Sequence, residues 1–478
     1  MILDDILKML KNKSDNKAYT INEKSYTFEE FYKYVCNLYY FLLKENKQKK
    51  PVAIYGHKDI YMKVAFLACP FAGITYVPID ESIPEERIKS IIKQVNPIFT
   101  LGKEISKEEI NKIMEKENAK EINEIYLQPN DIYYIIFTSG STGIPKGVKV
   151  TYNNLNSCVY WLKKITKAKN EVILNQANFS FDLSVADLYL SLISESEHFI
   201  LENSTNLDFN KIFKQLKKSN CSMAVMTPSF ADLLLLDKSF NKELMPNLKT
   251  ILFCGEKLLN GTVRNLYERF ENIKIINSYG PSECTFAVTS IEIKKEMIEK
   301  EIPAGKPKDD VDIFIIDEEK ELQEGKIGEI LIAGESVADG YLGNANNKSF
   351  INFKGKRAYL TGDLGYMKDG ILYYKARKDK QIKYKGYRIE LSDIENNLQE
   401  LQYIEKSVVC AKTNSDNKVL NLVGFIKLKK DITKNEMEIR KDLKEKIPEY
   451  MCPKIKIVEK FPINKNGKCD EKKLLEEY

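Results

Sequence analysis

Residues Asp131–Val148 read DIYYIIFTSGSTGIPKGV, and this stretch restricts the possible folds more than any other. Tyr133–Phe137 is a β-branched and aromatic run, the composition of a buried strand. Six residues that are all Gly, Ser or Thr, Thr138–Gly143, follow it without a break. Such a loop delivers backbone amides to the end of a sheet, where glycines let them crowd around an anion. The hydroxyls add donors, and Lys146 supplies a positive charge. Polyphosphate is the ligand this arrangement can hold. The alternative is a flexible Ser/Gly surface turn, and the apolar strand before it and Pro145–Lys146–Gly147 after it weigh against that. The loop lacks the GxxxxGK pattern closed by Ser or Thr, so kinase or GTPase chemistry does not carry over.

Around this loop the chain alternates short apolar runs with longer helical patterns. Pro51–Tyr55 precedes a helical pattern over Ile60–Ala68, and Ile74–Val77 precedes Ile83–Gln94. Ser222–Met226, Thr250–Phe253 and Lys274–Ile276 read as further buried strands. The rhythm predicts an α/β fold with a mostly parallel sheet. From Val311 to Tyr374 strand-like pieces alternate with Gly-rich turns, which predicts a smaller β-rich subdomain at about 305–378. The charged stretch Ala376–Gly386, ARKDKQIKYKG, is the candidate linker. Beyond it, helical patterns at Ser392–Gln399 and Asn435–Lys446 and strand patterns at Glu405–Ala411 and Lys418–Leu428 predict a small α+β domain. A large N-terminal domain, 1–378, and a small mobile one, 379–478, are therefore expected.

With 478 residues the chain is too long for a single compact core. Its 74 basic and 69 acidic side chains nearly cancel and are interleaved, as in Lys107–Glu117. Interleaved charge marks solvated helix faces, and no segregated basic patch points to nucleic acid. The first residues hold acidic side chains and no apolar h-region, so no signal peptide is expected. The most hydrophobic stretch, Val64–Val77, is short for a membrane span and is broken by Pro70. Nine cysteines stand singly without a CxxC pair, which suits free thiols in a reducing cytoplasm. His57 and His198 lack metal-ligand spacing, which makes a zinc site unexpected.

Five stations in order make the chain recognisable: Thr138–Gly147 (TSGSTGIPKG), Asn277–Glu283 (NSYGPSE), Tyr359–Asp363 (YLTGD), Arg377–Glu390 (RKDKQIKYKGYRIE) and Asn466–Asp470 (NGKCD). Together they resemble the adenylate-forming superfamily of acyl-CoA synthetases, luciferases and peptide-synthetase adenylation domains. The resemblance implies an enzyme that uses ATP and Mg²⁺ to join a carboxylate to the α-phosphorus. Bringing anions together in this way requires positioned cations. By resemblance, Thr138, Ser139, Gly140, Ser141, Thr142, Gly143 and Lys146 hold phosphates. Tyr279 stacks on adenine, Ser282 belongs with the nucleotide, and Glu283 is catalytic and binds the metal. Asp363 and Arg377 hold the ribose hydroxyls. Lys468 is the catalytic lysine that reaches the α-phosphate and the carboxylate; taken alone it reads as a surface lysine. Asp379 matches the family hinge, with a solvated linker charge as the alternative.

Asp182 lies in Asn178–Leu190, NFSFDLSVADLYL, an apolar amphipathic segment. A carboxylate beside a small-molecule pocket is expected to be paired. The local alternative is a helix-capping Asp. In adenylation domains for α-amino acids the matching aspartate pairs with the substrate ammonium. The segments QANFSFDLSVADLYLSL, MTPSFADLLLL, LFCGEKL and NSYGPSECTFAVTSIEI resemble the D-alanine–carrier protein ligases. That likeness implies activation of D-alanine and its loading onto the phosphopantetheine thiol of a carrier protein, for teichoic-acid esterification. It places Cys254, Ser278 and Phe286 with Asp182 around the amino acid. Departures from the pattern are Ser282 for threonine, Phe286 for a smaller aliphatic residue, Ala186 for a larger one and Ala376 for glycine. The alternative they support is a stand-alone adenylation enzyme loading a different small amino acid in a secondary-metabolite pathway. The chain ends eight residues past Asp470, so the carrier is expected to be a separate molecule.

Overall fold

Buried apolar β-branched runs need backbone partners, and in the two largest α/β sheets of this chain they find them mainly in parallel strands. In a computed structural model all residues are described except Lys13, Asn118, 141–142, 203–207, Glu319, 344–346, 415–417, 463–468 and Tyr478. They pack as two compact units. Met1–Asp80, Val95–Ile136 and Gly147–Lys378 form the first, and Glu81–Gln94, Phe137–Lys146 and Asp379–Tyr478 form the second.

The first unit contains a nine-stranded sheet whose interior is parallel. Lys274–Tyr279, Thr250–Phe253, Met223–Met226, Val172–Asn175, Glu197–Ile200 and Lys17–Ile21 follow one another in that order. Antiparallel strands close both edges. A second sheet joins Val52–Gly56, Tyr76–Asp80 and Ile132–Thr138 in parallel, with Lys146–Thr151 at one edge. The expected β-rich part is a six-stranded sheet, antiparallel throughout, in which Val311–Asp317, Gly328–Gly334 and Lys356–Lys368 are central. The expected α/β class with a β-rich subdomain is therefore what the chain adopts.

The helix Leu183–Ile193 corrects one expectation. Its segment reads as amphipathic, yet every one of its residues is buried. It packs against the strands Val172–Asn175 and Met223–Met226 and against the helices Ile2–Leu10 and Tyr152–Thr166. A helix covered on all sides needs no polar stripe. Its buried Asp187 accepts from Asn175 Nδ2 at 3.1 Å and lies 3.1 Å from His198 Nε2. Burial pushes the Asp187 carboxyl well above the usual carboxylate range, with the Asn175 hydrogen bond and the Lys58 and Lys63 charges opposing it.

The second unit is built on a three-stranded sheet, Ile404–Thr413, Val419–Leu428 and Lys454–Ile457. Ile394 and Leu398 of the helix Leu391–Gln399 and Ile439 and Leu443 of the helix Glu436–Lys444 share a core with its Val409 and Ile426. The expected linker Ala376–Gly386 is mostly regular structure. Ile371–Arg377 is a strand, and Gln381–Tyr384 pairs antiparallel with Tyr387–Glu390 around Lys385 and Gly386. Both turn residues have positive φ, 53° and 85°, which a two-residue hairpin needs to match the strand twist. Only 378–380 stays irregular. Among the described residues no helix is long and apolar enough to cross a membrane.

Replacing Asp187 with Ala leaves the buried Asn175 amide donor without its acceptor and the His198 Nε2 without its partner. It is expected to destabilise the fold by about 2–5 kcal/mol. Asp187→Asn keeps an acceptor and matches the neutral acid that burial favours, so it should cost clearly less. Urea denaturation of the two variants distinguishes them; equal losses would contradict a neutral, hydrogen-bonded Asp187.

Candidate active site

In the first unit the candidate site grows from the C-terminal end of the strand Lys274–Tyr279, where open α/β sheets place their ligands. The chain then turns tightly through 280–287 before the strand Thr289–Ile293. Gly280 is required there: a Cβ at this position would lie 2.6 Å from Ala287 Cα. Thr285 and Phe286 both have positive φ, 59° and 71°, a strained choice for residues with side chains. The turn is fastened by Val288 N donating to Tyr279 O at 2.8 Å and Thr285 Oγ1 to Ser336 O at 2.9 Å.

Tyr279, Asp363 and Arg377 come together as one cluster. Asp363 and Arg377 face each other across antiparallel strands, and Arg377 Nη1 lies 2.7 Å from Asp363 Oδ1. Tyr279 Oη donates to Asp363 Oδ2 at 2.7 Å. Asp363 is buried, so these two donors supply the pairing its carboxylate needs. Burial first, then the Asp363 carboxylate, pushes the Tyr279 phenol well above its ordinary range. Tyr279 stays neutral and keeps its proton on Asp363. The cluster can accept hydroxyls from a sugar and offer a ring face to a base.

Asp182 and Ser282 form a second contact, with Ser282 Oγ donating to Asp182 Oδ2 at 2.5 Å. Asp182 sits at the N-cap of Leu183–Ile193, yet its side chain makes no capping hydrogen bond. The capping alternative is therefore set aside. Cys254 and Phe286 are buried together, and the Cys254 thiol donates to Phe286 O at 3.9 Å. Ser278 Oγ donates to Phe253 O at 2.7 Å, which ties two strands together beside Cys254. Ala186 is buried in the same core as Cys254 and Phe286.

Glu283 is buried, and its Oε1 accepts from Tyr341 Oη at 2.6 Å. Among the described residues no group of three or more His, Cys, Asp or Glu is arranged to hold a metal. A single carboxylate suits Mg²⁺, which takes one or two carboxylates and completes its shell with phosphate and water. Tyr341 is a site residue that sequence reasoning missed. It is one aromatic in a Gly-containing turn, 58 residues from the glutamate it orients, and nothing local marks it.

The loop after Ile132–Thr138 belongs to the second unit. Gly140 cannot carry a side chain, because a Cβ would stand 2.0 Å from Ile144 O. Gly143 has φ 84° and donates its N–H to Gly140 O at 3.0 Å. Ser139 Oγ donates to Arg388 O at 3.0 Å, and Glu390 N donates back to Ser139 Oγ at 3.2 Å. Lys146 begins the edge strand Lys146–Thr151. Asp379 Oδ1 accepts from Gln381 N at 3.2 Å. Ser141, Thr142 and Lys468 lie outside the described residues.

Gly280→Ala forces a backbone shift in the turn that carries Ser282 and Glu283. It is expected to lower both thermal stability and enzymatic activity. Gly261, in the helix Asn260–Arg269, has open space around it, so Gly261→Ala should be neutral or stabilise by about 0.5 kcal/mol. Thermal melts and activity of the pair check this, and a fully active, unshifted Gly280→Ala would contradict the close-approach argument.

Comparison with known proteins identifies the family. The family model described as AMP-binding enzyme matches residues 8–342, and that described as AMP-binding enzyme C-terminal domain matches 393–468. A Listeria monocytogenes protein named D-alanine–D-alanyl carrier protein ligase is 40% identical over 461 residues, covering 91% of this chain and 90% of its own. A Bacillus anthracis protein of the same name is 36% identical over 499 residues, covering 100% and 99%. Among solved structures, the Vibrio cholerae adenylation domain AlmE in complex with glycyl-adenosine-5'-phosphate superposes with a TM-score of 0.85. It is 21% identical and covers 100% of this chain and 97% of its own, a likeness of fold. With family models over most of its length and relatives of this identity along nearly all of it, the chain belongs to the AMP-binding, adenylate-forming enzymes.

Proposed function

We propose that this enzyme activates D-alanine with ATP as D-alanyl-AMP and transfers it to the phosphopantetheine thiol of a separate carrier protein, for teichoic-acid D-alanylation. The observation that carries the amino-acid reading is Asp182, at the N-cap of a buried helix with its carboxylate turned to Ser282 instead of capping. Its support is the name shared by relatives at 36–40% identity. In the first half-reaction a D-alanine carboxylate oxygen attacks the α-phosphorus and pyrophosphate leaves. In the second, the carrier thiol attacks the acyl carbon and AMP leaves.

Each residue has a part that its surroundings suit. Tyr279 offers adenine a ring face, and Asp363 with Arg377 holds the ribose hydroxyls. The loop from Thr138 through Lys146 holds phosphate with amides, hydroxyls and one ammonium. Glu283, oriented by Tyr341, would hold Mg²⁺, which when bound neutralises phosphate charge. Lys468 brings a cation to the α-phosphate and the carboxylate. Asp182 pairs with the substrate ammonium, while Cys254 and Phe286 wall the methyl group, with Ser278 behind Cys254. Catalysis then comes from orientation and charge neutralisation, without a protein nucleophile.

We read Asp379 as the hinge between a large domain, 1–378, and a lid, 379–478. The irregular residues 378–380, lying between two strands, support this, because a hinge needs a few positions that absorb backbone rotation. An ATP substrate and nine free thiols suit the cytoplasm.

Pyrophosphate exchange across D-alanine, L-alanine, glycine, D-serine and a simple aryl acid tests the reading. D-alanine should give the greatest kcat/KM; stimulation only by an acid lacking an α-amine would overturn it, and preference for another small amino acid would favour the secondary-metabolite alternative. Lys468→Ala should slow adenylation at least about a hundredfold. The same variant should still transfer the acyl group from preformed D-alanyl-AMP, which single-turnover measurement of each half-reaction checks.

A further inference from the structure

The Asp182–Ser282 contact bears on how the proposed amine anchor is held in place. At the N-cap of Leu183–Ile193 the first-turn amides are already taken, Ser184 N donating to Phe181 O at 3.1 Å and Val185 N to Asp182 O at 3.0 Å, so the helix end makes no claim on the side chain. The Asp182 side chain accepts no capping bond and meets the Ser282 hydroxyl instead. Ser282 comes from 100 residues away. It opens the short helical turn Ser282–Cys284, directly after Pro281.

The backbone under Ser282 is fixed on both sides. Thr285 N donates to Ser282 O at 3.1 Å and Cys284 N to Pro281 O at 2.9 Å. The turn continues into the two positive-φ residues, Thr285 and Phe286, so the hydroxyl stands on a rigid platform. A hydroxyl that donates its proton to Asp182 still has lone pairs free for a cationic donor. One hydrogen bond thus fixes the Asp182 side chain and leaves a second acceptor beside it.

We infer that Ser282 is a positioning residue for substrate recognition: its hydroxyl fixes the direction of the Asp182 side chain, which the helix end leaves unclaimed, so that it can receive the substrate ammonium. The inference rests on the proposed amino-acid substrate and adds to Ser282 a role that its resemblance-based place with the nucleotide does not include. Serine and threonine can both make this bond, while alanine cannot.

Ser282→Ala, Ser282→Thr and Asp182→Asn, alone and with Ser282→Ala, are compared in D-alanine-dependent pyrophosphate exchange, with AMP binding measured separately by calorimetry. The loss of a hydrogen bond to a charged group should raise the D-alanine KM of Ser282→Ala roughly ten- to a hundredfold. The ATP KM and AMP Kd should stay within about twofold, and Ser282→Thr should stay near the parent enzyme. In the Asp182→Asn background Ser282→Ala should add little, because two residues acting through one contact are not additive. A parallel rise in ATP KM and AMP Kd would place Ser282 with the nucleotide and overturn the inference. An unmoved D-alanine KM, or a full additive effect in the double variant, would also overturn it. A parent enzyme that binds AMP yet shows no D-alanine-dependent exchange overturns the substrate reading itself, and this inference with it.

Discussion

The turn between Tyr279 and Val288 is the constraint on which the rest of the site depends. Within ten residues it supplies the ring that faces Asp363, the hydroxyl on Asp182, the carboxylate on Tyr341 and the carbonyl on Cys254. So many anchors fit in so short a segment only because the backbone doubles back sharply. Gly280 permits that by lacking a Cβ, and Thr285 and Phe286 by accepting positive φ. Two such residues cost on the order of 1–3 kcal/mol each. The hydrogen bonds from Thr285 to Ser336 and from Val288 to Tyr279, with burial of Phe286, offset that strain locally.

The polar groups beneath the site follow a related logic. Asp363 has two donors from two different sheets, and Glu283 has a phenol. Each side chain is thereby held in a fixed direction by a partner distant in sequence. Asp187, deeper in the same unit, is held as firmly, but burial favours its neutral form. A site that gathers phosphate, carboxylate and ammonium benefits from acceptors and donors placed in advance, because little reorganisation is then left for the reaction.

Much of this was legible in the sequence, for identifiable reasons. Tyr133–Phe137 reads as a strand because β-branched and aromatic residues leave no polar stripe, and it is one, from Ile132 to Thr138. Of the glycines in the loop after it, Gly140 has no room for a side chain and Gly143 takes a positive φ. The helix and strand patterns of the last hundred residues return with shifts of one or two positions at most ends, as fraying boundaries do. The stretch 381–390 misleads because a two-stranded ribbon open to solvent keeps its charged residues, and charge without an apolar face reads as linker. Leu183–Ile193 misleads in the opposite sense, since Ser184, Asp187 and Ser191 look like a wet face and are all buried. Ser282 and Tyr341 could not be assigned their contacts from local pattern at all. Each meets its partner across a separation that only the tertiary fold closes.

The central claim is that Asp182 receives the amine of an amino acid whose carboxylate becomes the adenylate. A crystal structure of this enzyme with a non-hydrolysable D-alanyl-adenylate analogue measures that contact directly. The account predicts the ammonium within hydrogen-bonding distance of Asp182, with Ser282 still on the same carboxylate and the methyl group against Cys254. An analogue bound with its adenine on Tyr279 but its amine directed away from Asp182 would contradict it.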